Sequence, residues 1–209
     1  MEDARGGGRS LTGALSSLFG RDKDYVRSLR GPFAICSIIF IFSLFSGFYL
    51  GESMPGGLLE ELLQPFPELK GMSLPSIFLF ILANNVLKSL VWMVLGILFG
   101  IPPLIFTAFN GFFLGWFSYS ISREKGLMFT LAALIPHGVV EIPTILLSMA
   151  AGLSLGYQLI NRLRGRGRVG AEVKGALKLF IRRIFPLLLL AAIIEVIITP
   201  LVVYLVGFE

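Results

Sequence analysis

The 209-residue chain is 55% hydrophobic and only 15% charged, and its mean hydropathy is +0.83. Soluble domains are about 45–50% apolar even when glycine is included, so this content exceeds what one globular core buries and excludes a large soluble catalytic domain. The net charge of +5 comes from basic residues that flank the apolar runs, which favours contact with a membrane surface over nucleic acid.

Five apolar runs are each long enough to cross a bilayer, which takes about 18–25 residues in a helix. They predict spans at residues 32–50, 76–98, 102–121, 127–153 and 184–206. The predicted fold class is therefore all-α: a polytopic transmembrane helix bundle forming a single domain over residues 32–206, after a cytoplasmic segment at residues 1–31. Pro136 and Pro143 each remove a backbone hydrogen bond within the fourth run, which predicts that this span is broken by prolines.

The distribution of lysine and arginine predicts the orientation, because these residues concentrate on the cytoplasmic side of membrane proteins. Six precede the first span and eight lie in a basic loop at residues 157–183. Only three lie in the loop at residues 51–75 and the turn at residues 123–125. We therefore expect a cytoplasmic N-terminus, a fourth span that crosses fully, and localisation in the cell membrane.

Two segments outside the spans show helical spacing of apolar residues. The outer loop at residues 51–75 is predicted to hold a short amphipathic helix carrying Leu58, Leu59, Leu62, Leu63 and Phe66. The cytoplasmic loop is predicted to hold a basic stripe formed by Lys174, Lys178 and Arg182. That stripe either faces lipid and attracts anionic headgroups or serves only as the basic flank of a span.

Four ionisable residues within the runs carry the main functional signal: Lys88, His137, Glu141 and Glu195. With about 1.5 Å of rise per residue, all four fall near the bilayer midplane. Uncharged polar groups are added by Asn84, Asn85 and Asn110. Because intramembrane charges face a protein interior or a wet cavity, we expect one polar network in which Lys88 pairs with a glutamate. This network serves either to fix helix register or to relay protons or cations.

Small residues four apart allow helices to approach closely. This spacing occurs in three pairs, which are Gly96 with Gly100, Gly111 with Gly115, and Gly152 with Gly156. The pairs predict close packing either within one chain or across a homodimer.

No enzyme motif is present: the chain has no HExxH, no GxSxG and no Walker loop. Its one histidine cannot build a two-histidine zinc site. We therefore expect no enzymatic activity, no catalytic residue, no cofactor and no metal. The one cysteine, Cys36, is expected to be a packing residue.

Several motifs of the central and later spans resemble the stage II sporulation protein M family. They are Asn84–Asn85, the helix with Gly96 and Gly100, NGFFLG at residues 110–115, PHGVVEIP at residues 136–143 and AAGLSLG at residues 150–156. The resemblance implies a multi-spanning fold. It also implies a possible partner-organising role, because the family's namesake in spore formers is a membrane scaffold for a cell-wall-remodelling complex. It supplies no catalytic residue.

Two functions follow as hypotheses. The first is a non-enzymatic membrane scaffold that organises partner proteins, with membrane or envelope proteins, lipid and a homodimer as expected partners and no nucleic acid. The alternative is a channel or transporter for protons, ions or a small solute that uses the polar layer at the midplane.

Overall fold

The computed structural model of the protein describes residues 24–54 and 71–206, and these residues are helical almost throughout. The main helices are α1 (Arg30–Leu50), α2 (Leu74–Leu95), α3 (Ile101–Lys125), α4 (Leu127–Leu163) and α5 (Val169–Leu205). A 3₁₀ turn at Gly51–Ser53 follows α1. No strand occurs in the described ranges, and the all-α fold class is confirmed.

All five helices are long and apolar enough to cross a membrane. The outside of the bundle is apolar as well: Phe42 is 73% exposed, Phe45 is 68% exposed and Val139 is 67% exposed. Large exposed apolar surfaces mark contact with another apolar phase, here the hydrocarbon of a bilayer. The chain is therefore a multi-pass membrane protein.

Helix α4 is the central element of the bundle. It contacts each of the other four helices, and it is the most buried of the five spans. One buried cluster contains residues from every helix, namely Cys36, Met93, Phe106, Met149 and Leu188. A separate close pairing joins α1 to α3, which make the most extensive contact between any two described helices.

Short connections set the order of α2, α3 and α4. Ser73 is the N-cap of α2, and its hydroxyl oxygen accepts a hydrogen bond from the Ser76 N–H at 3.4 Å. Gly100 lies before α3 with φ of 76°, and Gly126 alone separates α3 from α4 with φ of 87°. These left-handed conformations suit glycine because it has no Cβ. Consecutive helices therefore pack as antiparallel neighbours.

The glycine pairs pack within the chain. A side chain at Gly115 would collide with the Leu44 carbonyl of α1, and one at Gly96 would collide with the backbone of Gly152 on α4. A side chain at Gly111 or Gly156 would also collide with backbone atoms of a neighbouring segment. The glycine faces therefore serve contacts inside this chain, which leaves a homodimer to use other surfaces.

The predicted break in the fourth span is absent, because α4 runs as one helix through Pro136 and Pro143. Prolines are tolerated in membrane helices where neighbouring groups satisfy the freed backbone. The carbonyls that the two prolines leave without a helical donor are those of Ala132 and Val139. The Thr144 hydroxyl donates to the adjacent Val140 carbonyl at 2.6 Å. Contacts with four neighbouring helices also hold α4 in place along its length.

The predicted cytoplasmic loop is mostly helical. Helix α4 extends to Leu163 and α5 begins at Val169, so only residues 164–168 connect them. Lysine and arginine are good helix formers, and a helix does not end where the hydrocarbon ends. Lys174, Lys178 and Arg182 lie on α5, which continues directly into the fifth span. Their contact with lipid stays a prediction.

Other predicted segments lie outside the described residues. These are the first 23 residues and the outer amphipathic helix with Leu58, Leu59, Leu62, Leu63 and Phe66.

Candidate functional site: a polar cavity inside the bundle

A cavity of about 410 Å³ lies between α2, α3, α4 and α5 and is partly open to the surface. All seven polar residues named from the sequence line it, which are Asn84, Asn85, Lys88, Asn110, His137, Glu141 and Glu195. Phe80, Phe106, Phe113 and Phe117 contribute much of its apolar lining. The structure thus brings the polar residues of four helices to one space, which we name the polar cavity.

His137, Glu141 and Glu195 form the densest part of the polar cavity. One nitrogen or oxygen atom from each lies within 4.8 Å of the others, and all three side chains are half-buried. His137 and Glu141 are one turn apart on α4, so they project from one face of that helix. Glu195 completes the group from α5. We refer to these three residues as the carboxylate–imidazole cluster.

A widened turn of α5 carries Glu195. The helix has two π-type turns, at Phe180–Ile184 and Ile194–Ile198, and each lies just before a proline, Pro186 or Pro200. A proline offers no N–H to the carbonyl four residues earlier, and a wider turn relieves the resulting crowding. The Thr199 hydroxyl donates across the second turn to the Ile194 carbonyl at 3.3 Å. Such turns occur frequently at functional sites.

The His137 ring is held by Thr199. Its Nδ1 lies 3.4 Å from the Thr199 hydroxyl oxygen, a long hydrogen bond. Since Thr199 donates its own proton to the Ile194 carbonyl, its oxygen is the acceptor for an Nδ1–H. That tautomer leaves Nε2 with a lone pair that can bind a proton or a metal.

Glu141 is contacted by groups of both signs. The Asn85 side chain hydrogen-bonds to it, Lys88 attracts it and Glu195 repels it. The Asn84 amide donates to the Asn85 side-chain oxygen at 3.4 Å, which orients that amide. Lys88 therefore lies near enough to Glu141 to attract its carboxylate, although the Lys88 side chain is exposed. One lysine offsets only one of the two carboxylates.

A second cluster of polar side chains, which the sequence analysis did not identify, lies away from the polar cavity. The Tyr25 hydroxyl donates to Glu172 Oε1 at 3.0 Å, and the Ser154 hydroxyl donates to the same oxygen. Burial, followed by the Glu172 carboxylate, raises the pKa of Tyr25 well above its ordinary value. This group fastens the segment before α1 to α4 and α5.

The sequence also did not identify Thr199 as the partner of His137. The available signal was weak: Thr199 lies four residues after Glu195 and directly before Pro200. The contact between the Thr199 hydroxyl and the His137 ring becomes visible only in the structure, where the wide turn at Ile194–Ile198 precedes Thr199.

The fold and the polar cavity together define a polytopic α-helical membrane protein with a polar interior. The family model described as stage II sporulation protein M matches residues 36–200, so the chain belongs to that family. Two uncharacterized proteins of Methanocaldococcus jannaschii are similar to it. One is 38% identical over a match that covers 57% of this chain and 69% of the relative. The other is 30% identical over a match that covers 52% of this chain and 50% of the relative. No solved structure matches the chain.

Proposed function

We propose that the protein is a non-enzymatic channel or transporter of the cell membrane that moves a proton, an ion or a small polar solute through the polar cavity. The observation that supports this proposal is that one cavity is lined by all seven of the polar residues singled out from the sequence. Family membership supports a membrane protein and leaves the transported species open.

The energetics of buried charge favour a wet site. A charged side chain at the bilayer centre costs about 2.5–3.5 kcal/mol on insertion scales. Such residues therefore occur where they have a function or where water solvates them. A network used only to fix helix register is best closed and dry. The polar cavity is partly open, and its volume of about 410 Å³ has room for several waters at about 30 Å³ each.

Orientation is part of the same proposal. The basic residues before α1 and between α4 and α5 favour a cytoplasmic N-terminus. The proposed environment is the lipid bilayer, with anionic headgroups beside Lys174 and Arg182, which are exposed on α5.

A second candidate function is a scaffold that organises membrane or envelope proteins. Membership of the stage II sporulation protein M family favours it, because the family resemblance implies a partner-organising role. The exposed apolar faces of the bundle could then bind partner helices or a second copy of the chain.

Flux measurements separate the two functions. Purified protein in liposomes is given gradients of protons, of monovalent cations and of divalent cations, with dyes trapped inside. We expect flux of at least one ion, reduced at least tenfold by Glu141→Gln. Glu124→Gln is the matched control, since Glu124 is exposed at the end of α3, away from the polar cavity. Wild-type protein without flux under every gradient would overturn transport of protons and cations and favour the scaffold.

A further inference from the structure

We infer that the carboxylate–imidazole cluster is a binding site for a divalent transition-metal ion, with His137, Glu141 and Glu195 as its three protein ligands. As an assignment of the transported ion, this inference rests on the proposed function. As an assignment of a binding site, it stands on the geometry of the polar cavity.

The three donor atoms are close enough to share one ion. They lie within 4.8 Å of one another. Metal–ligand bonds of about 2.0–2.2 Å require neighbouring donors to be roughly 3 Å apart. Side-chain rotation of half-buried residues beside a cavity covers that difference. The donors come from two helices, so an ion would join α4 to α5 across the polar cavity.

The charge balance of the cluster also favours a cation. Glu141 and Glu195 repel each other, and the nearby Lys88 compensates one negative charge. A second positive charge is required for neutrality unless the two carboxylates share a proton. A divalent ion between the carboxylates supplies that charge and replaces the repulsion by two attractive contacts.

The ligand types select the class of metal. Imidazole nitrogen with carboxylate oxygen suits first-row divalent ions such as zinc, manganese, iron and cobalt. Calcium and magnesium prefer all-oxygen sites, which a histidine does not provide. Soft ions such as copper(I) select thiolate or thioether sulfur. The one thiol, Cys36, lies on α1, which contributes no residue to the polar cavity.

Thr199 prepares the histidine for this role. Metal-ligating histidines commonly donate their other ring N–H to a nearby oxygen, which fixes the tautomer and the ring orientation. The contact from Nδ1 to the Thr199 hydroxyl at 3.4 Å has this arrangement. Three protein ligands leave coordination positions for water, as in sites that exchange their ligands rather than closed structural sites. Asn85 lies on α2 and hydrogen-bonds to Glu141, so a third helix helps to orient this ligand.

Metal binding is tested on the full chain in detergent, purified through a tag without histidine and depleted of metal with a chelator. Zn²⁺ is titrated by calorimetry, and Co²⁺ is followed by its visible absorption. We expect one site per chain for wild-type protein and for Glu124→Gln. Glu195→Gln and His137→Gln should each weaken Zn²⁺ binding at least tenfold. Thr199→Val keeps all three ligands and should weaken it by a smaller factor while shifting the Co²⁺ spectrum.

The outcomes distinguish this inference from the proposed function. If variants remain monodisperse and helical but bind Zn²⁺ as wild type does, the ion binds elsewhere and the inference is wrong. It is also wrong if wild-type protein carries protons or monovalent ions yet binds neither Zn²⁺ nor Co²⁺, and transport then stands. Binding that depends on Glu195 and His137 without flux of any ion leaves the metal site in place and overturns the transport of ions.

Discussion

Three glutamates show how this protein accommodates single carboxylates. Glu172 accepts hydrogen bonds from two hydroxyl groups at the end of the bundle. Glu141, deeper in the bundle, is hydrogen-bonded by Asn85 and lies within electrostatic range of Lys88. Glu195 lies beside Glu141 and His137, so its immediate surroundings hold a second acid and an imidazole.

Tyr25→Phe tests the contact with Glu172. Loss of the hydrogen bond should lower the free energy of unfolding by about 1 kcal/mol near pH 7.5. Because folding raises the pKa of Tyr25, the neutral phenol belongs to the folded state. Its contribution is therefore present below about pH 10, where an unfolded tyrosine ionises, and decreases as the pH rises further.

Thermal unfolding of wild type and Tyr25→Phe in detergent, at pH 7.5 and at pH 10.5–11, measures this effect. The advantage of the wild type should shrink at the higher pH. Tyr157→Phe is the control, because Tyr157 is 61% exposed. A gap between wild type and Tyr25→Phe that stays constant with pH contradicts the assignment.

Single residues were predictable where their chemistry conflicts with the surrounding lipid. Lys88, His137, Glu141 and Glu195 stand out in apolar runs, and the polar cavity contains all of them. Thr199 was not predictable, since a hydroxyl is inconspicuous in a membrane helix. The sequence did not suggest the proposed metal-ligand set for a related reason: one histidine per chain argues against zinc until the carboxylates are known to lie beside it.

At the scale of helices, apolar length predicted the five spans because hydrocarbon thickness fixes how many residues must be apolar. The observed ends differ where helices continue past the membrane, as α4 and α5 do. The prolines of α4 behaved differently from those of α5. Pro136 and Pro143 lie within a continuous helix, while wide turns precede Pro186 and Pro200. This outcome depends on packing against neighbours, which the local sequence does not contain.

Gly115→Ala tests the close packing of α1 and α3. The added methyl group would collide with the Leu44 backbone carbonyl, which cannot rotate away as a side chain can. Overpacking of this kind costs about 1–3 kcal/mol, so we expect a lower melting temperature in detergent. Gly170→Ala is the matched control: nothing lies within 4 Å of its added methyl, and alanine is the better helix former. Equal melting of both variants contradicts the packing.

At the scale of the whole molecule, the arrangement of the helices creates the polar cavity. Depth along each span could be predicted from rise per residue, so a common layer was visible in the sequence. The rotation of each helix about its own axis could not be predicted from the sequence. It depends on glycine contacts such as Gly96 against Gly152 and on the wide turn that holds Glu195. These contacts decide that polar groups of four helices meet in one space.

The last prediction concerns how the whole chain crosses the bilayer. Ser53 and Arg166 are both exposed, and three spans separate them, so cysteines placed at these positions should react from opposite sides. The basic residues between α4 and α5 predict that Arg166→Cys lies on the cytoplasmic side. Cys36 is fully buried, so the background labelling of the unmodified chain should be low. Intact cells treated with an impermeant maleimide should therefore label Ser53→Cys alone, and permeabilised cells should label both. Labelling of Arg166→Cys alone would reverse the orientation, and labelling of both in intact cells would contradict the five-span crossing.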